Sequence, residues 1–308
     1  MLETHNVFHL LAAVLQVFTG LLANGLILVV NGIDFIRQRK IAPFDLLLSC
    51  LVTSRIILQL CVFSGLLVAL FLVNSSVFTD NAIFIMFINE LNLWFATWLG
   101  VFYCTKIATI PHPLFLWLKM RIFRLVPWLI LGSVLYATVT ASIYSKNVSS
   151  AYIQPFINIF SQNVTHLKEM YALPSSFSAF GLMLPFLIFL VAVLLLIFSL
   201  WKHSRKMRTI STGSRKPGRH AHISAMLSIL SFLTLYFSHC MVGILLSTQV
   251  IQFGSTNFLL CILMMGVYPS IHSIILILGN PKLRQSAWIF LQCKCCQLVR
   301  VCINTRNP

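Results

Sequence analysis

The chain has 308 residues, of which 58 % are hydrophobic and 9 % are charged, and its net charge is +16. A soluble domain carries about a quarter charged residues, so this composition excludes a water-soluble globular protein, which would lack polar side chains for its surface. The basic residues stand in short clusters between long apolar runs, which excludes nucleic acid as the partner and predicts a protein dissolved in the lipid bilayer.

Long apolar runs follow one another along the whole chain. A membrane-spanning helix needs about 20 mostly apolar residues, and seven runs meet this requirement. We therefore predict an all-α bundle of seven transmembrane helices, forming one membrane domain over residues 1–308 with a cytoplasmic tail over residues 280–308. The predicted spans cover residues 7–32, 44–73, 82–108, 125–144, 176–201, 223–250 and 257–279.

The connections between the spans set the orientation. Basic residues crowd the connections after the first, third and fifth spans and the C-terminal tail, whereas only Lys146 and Lys168 lie on the opposite side. Cytoplasmic loops carry the excess of Lys and Arg, so the N-terminus is predicted outside and the C-terminus inside. Six or eight spans would place a basic cluster on the outer side.

Three sequons of the form Asn-x-Ser/Thr fall on the predicted outer side, at Asn74, Asn147 and Asn163. This pattern is the acceptor for N-glycosylation. Asn163 lies farthest from a membrane end and is the favoured site, with Asn147 and Asn74 as alternatives.

The second span contains a buried cation, Arg55. An Arg at the bilayer centre costs about 2.5–3.5 kcal/mol on insertion scales, so it is expected to face the bundle interior and to find hydrogen-bond acceptors. The expected partners are Asn24 of the first span, Ser273 of the seventh span and freed backbone carbonyls. We predict a polar switch that joins three helices; an Arg reaching to the membrane surface is disfavoured by its depth.

The third span contains Glu90, the only carboxylate in the middle of a span, within the polar run Asn89-Glu90-Leu91-Asn92. Convergent polar groups within apolar walls are typical of a ligand pocket, so Asn89, Glu90 and Asn92 are predicted to bind a ligand, with Trp94 as a wall. The alternative is that these polar groups form hydrogen bonds between helices.

Catalytic and metal-binding patterns are absent from the sequence. His220 and His222 have no third ligand nearby, and nucleophile, nucleotide and zinc-protease motifs do not occur. No enzyme activity and no cofactor are predicted.

A small-solute transporter or channel is the alternative functional class, and it would require polar residues through the whole bundle.

Three cysteines of the tail are candidates for palmitoylation or are ordinary reduced thiols: Cys293, Cys295 and Cys296.

Several motifs, in order along nearly the whole chain, resemble those of the type 2 bitter taste receptors. The motifs are Asn24-Gly25, Ser54-Arg55, Phe102-Tyr103-x-x-Lys106, His112-Pro113-Leu114-Phe115-Leu116-Trp117 and Pro269-Ser270-x-His272-Ser273.

This resemblance implies the architecture of a G-protein-coupled receptor in the plasma membrane. It implies that small bitter compounds are the agonists and that a gustducin-type heterotrimeric G protein is the partner, in taste cells and in gut chemosensing. An oligomer is as compatible with the sequence as a monomer. The switch and structural residues that the matching motifs imply are Asn24, Arg55, Tyr103, Lys106, His272 and Ser273.

Overall fold

The computed structural model describes the backbone of residues 4–71, 75–108, 110–158, 165–210, 218–247, 251, 256–290 and 292. Within these residues there are seven long helices and no strand. All seven are long and apolar enough to cross a membrane, which confirms the predicted all-α, seven-helix fold. The helices are α1 (Thr4–Gln38), α2 (Pro43–Phe71), α3 (Ser75–Ile107), α4 (Pro113–Asn158), α5 (Thr165–Ile210), α6 (Gly218–Ser247) and α7 (Thr256–Gly279).

Two helices run far beyond the spans predicted from hydropathy. α4 and α5 each have 46 residues, about twice the length that a bilayer requires. Their membrane segments are Phe115–Lys146 and Gly181–Lys202. Helical hydrogen bonds form within the segment and do not depend on an apolar surrounding, so each helix continues into polar sequence that a hydropathy criterion leaves out.

α3 is the central helix of the bundle. Its membrane segment is 61 % buried, against 22 % for those of α1 and α4, and it packs against α2, α4 and α5. Large apolar side chains of the outer helices, such as Phe18 of α1 and Trp128 of α4, are exposed and face the position of the lipid. The polar residues of α3 are therefore enclosed by protein.

The chain is helical again over residues 281–290, directly after α7. Leu283 is buried in the hydrophobic core formed by α1 to α4, and Lys282 forms an ion pair with Asp34 at the end of α1. These contacts hold the beginning of the tail against the inner end of α1.

Some predicted modification sites lie outside the described residues. These are Asn74 and Asn163, the side chain of Asn147, and the three tail cysteines at 293, 295 and 296.

Candidate functional site

A cavity of about 180 Å³ lies between α2, α3, α4, α5, α6 and α7, in the half of the bundle that the charge distribution assigns to the outside. Its polar lining residues are Asn81, Asn89 and Tyr144, and Gly65 and Gly243 also reach it. The rest of the described lining is apolar: Val62, Ile85, Met86, Leu182, Leu246, Phe258, Ile262 and Met265. Apolar walls with a few polar groups are typical of small-molecule sites.

Asn81 is held at the cavity wall by α2. Ser64 Oγ donates to Asn81 Oδ1 at 3.1 Å, and Asn81 Nδ2 donates to the Cys61 carbonyl at 3.4 Å. A Cβ at Gly65 would lie 3.0 Å from Asn81 Nδ2, so a small residue there lets α3 approach α2. The carboxamide of Asn81 is thus part of the helix packing.

Asn89 connects the cavity to α6. His239 Nε2 lies 2.7 Å from Asn89 Oδ1, and both side chains are buried. The His239 ring packs on Tyr268 of α7 with its centroid 4.6 Å away. Sequence reasoning missed His239, although a lone imidazole in the middle of an apolar span is a signal for a buried polar contact.

Arg55 is completely buried and forms hydrogen bonds to two other helices. Nε donates to Asn92 Oδ1 at 3.2 Å, Nη1 donates to Ser273 Oγ at 3.1 Å, and Nη2 donates to His272 Nδ1. Ser273 Oγ donates in turn to Asn24 Oδ1 at 2.6 Å. The predicted contact with Ser273 is present, while Asn24 is reached through Ser273. We call these five residues the Arg55 cluster.

Tyr268 lies between the cavity and the Arg55 cluster. The Arg55 guanidinium is 5.6 Å from the centroid of the Tyr268 ring, within the range of a cation–π interaction. Tyr268 is also stacked with His272 at 5.8 Å, and His272 with Phe232 of α6 at 3.7 Å. A continuous line of contacts therefore runs from Asn89 through His239 and Tyr268 to Arg55.

Glu90 faces away from the cavity, toward α4 and α5. Its Oε2 accepts a hydrogen bond from Thr140 Oγ1 at 2.6 Å. A Cβ at Gly181 would lie 2.7 Å from Glu90 Oε1, so the glycine lets α5 pack directly against the carboxylate. This arrangement is the hydrogen bonding between helices that the sequence left as the alternative for the polar run.

The other predicted ligand residues also lie away from the cavity lining. Trp94 packs against Trp98 at 5.3 Å and against Tyr136 of α4 at 5.2 Å. Asn92 belongs to the Arg55 cluster. Of the four predicted ligand residues, Asn89 alone is in the described lining of the cavity.

Tyr103 and Lys106 lie near the inner end of α3, and no contact that the structure describes joins them to the Arg55 cluster. Tyr103 packs edge-on against Phe44 of α2 with ring centroids 5.5 Å apart. Lys106 is exposed. Tyr103 is therefore part of the packing between α2 and α3, and Lys106 is part of the inner surface.

Comparison with known proteins gives matches over the whole chain. The sequence profile of the taste receptor protein family matches residues 1–295. The chain is 60 % identical to mouse taste receptor type 2 member 119, covering 100 % of this chain and 92 % of that protein. It is 54 % identical to taste receptor type 2 member 1 of the orangutan Pongo pygmaeus, covering 96 % and 100 %, and 33 % identical to human taste receptor type 2 member 2, covering 91 % and 94 %. The resemblance carried by the sequence motifs is confirmed.

Proposed function

Because the chain belongs to the type 2 taste receptor family, whose members are receptors and not enzymes, we propose that it binds small bitter molecules and activates a heterotrimeric G protein. The observation that carries this proposal is the line of contacts from the cavity to Arg55. It joins a space for a ligand to a buried polar cluster that holds α1, α2, α3 and α7 together.

The proposed ligand site is the outer cavity, with Asn89 as its anchoring polar residue. A ligand that contacts Asn89 competes with or reinforces the hydrogen bond to His239, and so changes the position of the His239 ring on Tyr268. A molecule that binds one arrangement more tightly shifts the population toward it. A change from mostly inactive to mostly active requires about 5 kcal/mol of differential binding.

The inner face is proposed as the G-protein surface. Exposed Lys106 and Arg121 lie at the inner ends of α3 and α4, and Lys119 Nζ donates to the Ala108 carbonyl at 3.2 Å, which fixes the turn between these helices. We propose that a gustducin-type G protein meets this basic surface and that the receptor acts in the plasma membrane of taste cells and of gut chemosensory cells.

A calcium assay in cells that carry a matched G-protein subunit tests this proposal. The chain is expected to respond to members of a panel of bitter compounds only when the G protein is present. Tyr268→Leu is expected to raise the half-maximal concentration at least about tenfold, because it removes a buried cation–π contact of about 2 kcal/mol. Tyr268→Phe is the matched control, because it keeps the ring and its cation–π contact with Arg55, and it is expected to respond at lower agonist concentrations than Tyr268→Leu.

Surface labelling of each variant separates signalling from expression. A receptor that reaches the surface and responds to no compound contradicts the proposed function. Movement of a solute across the membrane without any G protein would instead support a transporter or channel. Equal responses of Tyr268→Leu and Tyr268→Phe would show that the ring does not connect the two regions.

A further inference from the structure

We propose that the outer cavity selects neutral molecules that carry a hydrogen-bond acceptor, and that it discriminates against permanently cationic ones. This inference rests on the proposed function, because it takes the cavity as the ligand site.

The described lining of the cavity contains no charged side chain. Its polar groups are the neutral carboxamides of Asn81 and Asn89 and the hydroxyl of Tyr144. A cation that leaves water for an apolar site loses its hydration, and an opposite charge, several hydrogen-bond acceptors or the faces of aromatic rings must compensate for this loss. The Asn81 oxygen already accepts a hydrogen bond from Ser64 and the Asn89 oxygen one from His239, which leaves one lone pair on each. The described lining offers two aromatic residues, Tyr144 and Phe258, and no negative charge.

The carboxylate that could neutralise a cation is turned to the other side of α3. Glu90 follows Asn89 directly in the sequence, but its Oε2 is bonded to Thr140 of α4 and its Oε1 lies against Gly181 of α5. The side chain is buried in this packing. A ligand in the cavity therefore has no described carboxylate lining it.

The buried charge on the inner side of the cavity has the wrong sign for a cationic ligand. Arg55 is reached from the cavity through three side chains: Asn89, which lines the cavity, then His239 and Tyr268. The bundle interior is a medium of low dielectric constant, in which charges act over longer distances than in water. The field of Arg55 thus opposes a cation in the cavity and favours the oxygen end of a polar neutral molecule.

Asn89 supplies the complementary donor. Its oxygen is bonded to His239, and no described residue accepts a hydrogen bond from its Nδ2. An ester, amide or ketone oxygen can occupy this position. The volume of about 180 Å³ exceeds the roughly 150 Å³ of a cavity that holds benzene, so the ligand portion in the cavity has about the size of a substituted ring.

The experiment uses pairs of esters with the same shape and different charge. Acetyl-, propionyl- and benzoylcholine are compared with the corresponding esters of 3,3-dimethylbutanol, in which a carbon atom replaces the charged nitrogen. Binding to the purified full-length receptor in lipid nanodiscs is measured by the increase in Tm, since a ligand that binds only the folded state stabilises it. At least one neutral ester is expected to bind ten or more times more tightly than its choline partner.

Two variants test the assignment of the residues. Asn89→Leu is expected to weaken binding of the neutral esters at least tenfold, with Asn89→Ser as a smaller substitution if the Leu variant has a low Tm without ligand. Glu90→Gln is expected to leave the preference for the neutral member unchanged, because Glu90 lies outside the cavity lining.

Each contrary result overturns the inference. These results are equal or stronger binding of a choline ester, absence of binding by every neutral ester, unchanged binding in both Asn89 variants, and a changed preference in Glu90→Gln. The proposed function is tested separately, by calcium responses to a broad panel of bitter compounds, and stands or fails independently of the charge preference.

Discussion

The outer cavity and the Arg55 cluster lie in the same bundle but satisfy their polar groups in different ways. The cavity has about 180 Å³ of space and few polar groups, of which Asn89 makes a single described hydrogen bond, to His239. In the Arg55 cluster, one guanidinium makes three hydrogen bonds to side chains of α3 and α7. The cavity therefore has room for an incoming molecule, whereas the cluster fixes the relative positions of its helices.

Because of this difference, we expect substitutions in the two regions to have different effects. A substitution in the Arg55 cluster leaves buried polar groups without partners, which costs stability as well as signalling. A substitution at the cavity changes the shape of its wall or the hydrogen bonds that it offers to a ligand, while the empty space leaves room for the new side chain. Ligand potency is therefore expected to change more than the stability of the receptor.

The largest effect is expected for Arg55→Leu. It leaves Asn92 Oδ1 and His272 Nδ1 buried without their donor, and each unsatisfied group costs about 1–3 kcal/mol. The Tm of the purified receptor should fall, and the calcium response should be lost even for molecules that reach the cell surface.

Arg55→Lys is the matched variant for this prediction. It keeps a positive charge, but one ammonium cannot reproduce the planar arrangement of donors that reaches three partners. We expect an intermediate Tm and a weakened response. A normal response in Arg55→Leu, at equal surface density, would show that the cluster is dispensable for signalling.

The two regions also differ in how far the sequence predicted them. Arg55 was identifiable because a charge in the middle of a span must be enclosed and paired, and its contact with Ser273 followed from the need for a nearby neutral acceptor. Asn92 was predicted for the ligand site, because spacing along α3 places it near the face of Asn89 but does not say which helix stands opposite. The rotation of α3 within the bundle decides that question.

The position and the lining of the cavity could not be predicted from the sequence, because they depend on how distant helices pack together. Its walls come from six helices, and His239 and Tyr268 became relevant only because α6 and α7 place them between Asn89 and Arg55. The seven-helix fold followed from hydropathy and charge alone, since the bilayer leaves few alternatives for a long apolar run.

Two glycine substitutions compare the regions directly. A Cβ at Gly100 would lie 2.6 Å from the ring of Phe189, which is buried against Tyr236 with ring centroids 4.9 Å apart. Overpacking of this kind costs about 1–3 kcal/mol, so Gly100→Ala should lower the Tm. A Cβ at Gly243 would meet Leu182 at 3.1 Å, and Leu182 borders the cavity and can move into it. Gly243→Ala should therefore lower ligand potency with little change in Tm.

Gly132→Ala is the control for both substitutions, because no neighbouring atom lies within 4 Å of a Cβ at this position. Its Tm is expected to be unchanged or slightly higher, since Ala is favoured over Gly in a helix by about 1 kcal/mol. If Gly100→Ala changed potency without changing Tm, and Gly243→Ala did the reverse, the division between a rigid and an adaptable region would be wrong.

A moderate effect is expected at the contact between Glu90 and α4. Thr140→Val keeps the shape of the side chain but removes the hydroxyl that donates to Glu90 Oε2 at 2.6 Å. A typical hydrogen bond contributes about 0.5–1.5 kcal/mol, so the Tm should fall by a few degrees. Thr140→Ser should restore it, and the potency of agonists should be the same in both variants. A loss of potency specific to Thr140→Val would place Glu90 in ligand binding after all.

The smallest effect is expected for the ion pair between Lys282 and Asp34 on the inner side, because both side chains are partly exposed, to 45 % and 27 %. Exposed pairs contribute about 0.2–1 kcal/mol and are weakened by salt. A double-mutant cycle with Lys282→Ala and Asp34→Ala should give a coupling energy in this range that decreases in 0.5 M salt.

Leu283 is buried in the core beside the pair, so Leu283→Ala should destabilise the receptor more than the removal of either charge. If removal of either charge lowered the stability of the receptor more than Leu283→Ala, the ion pair and not apolar packing would hold the tail against α1.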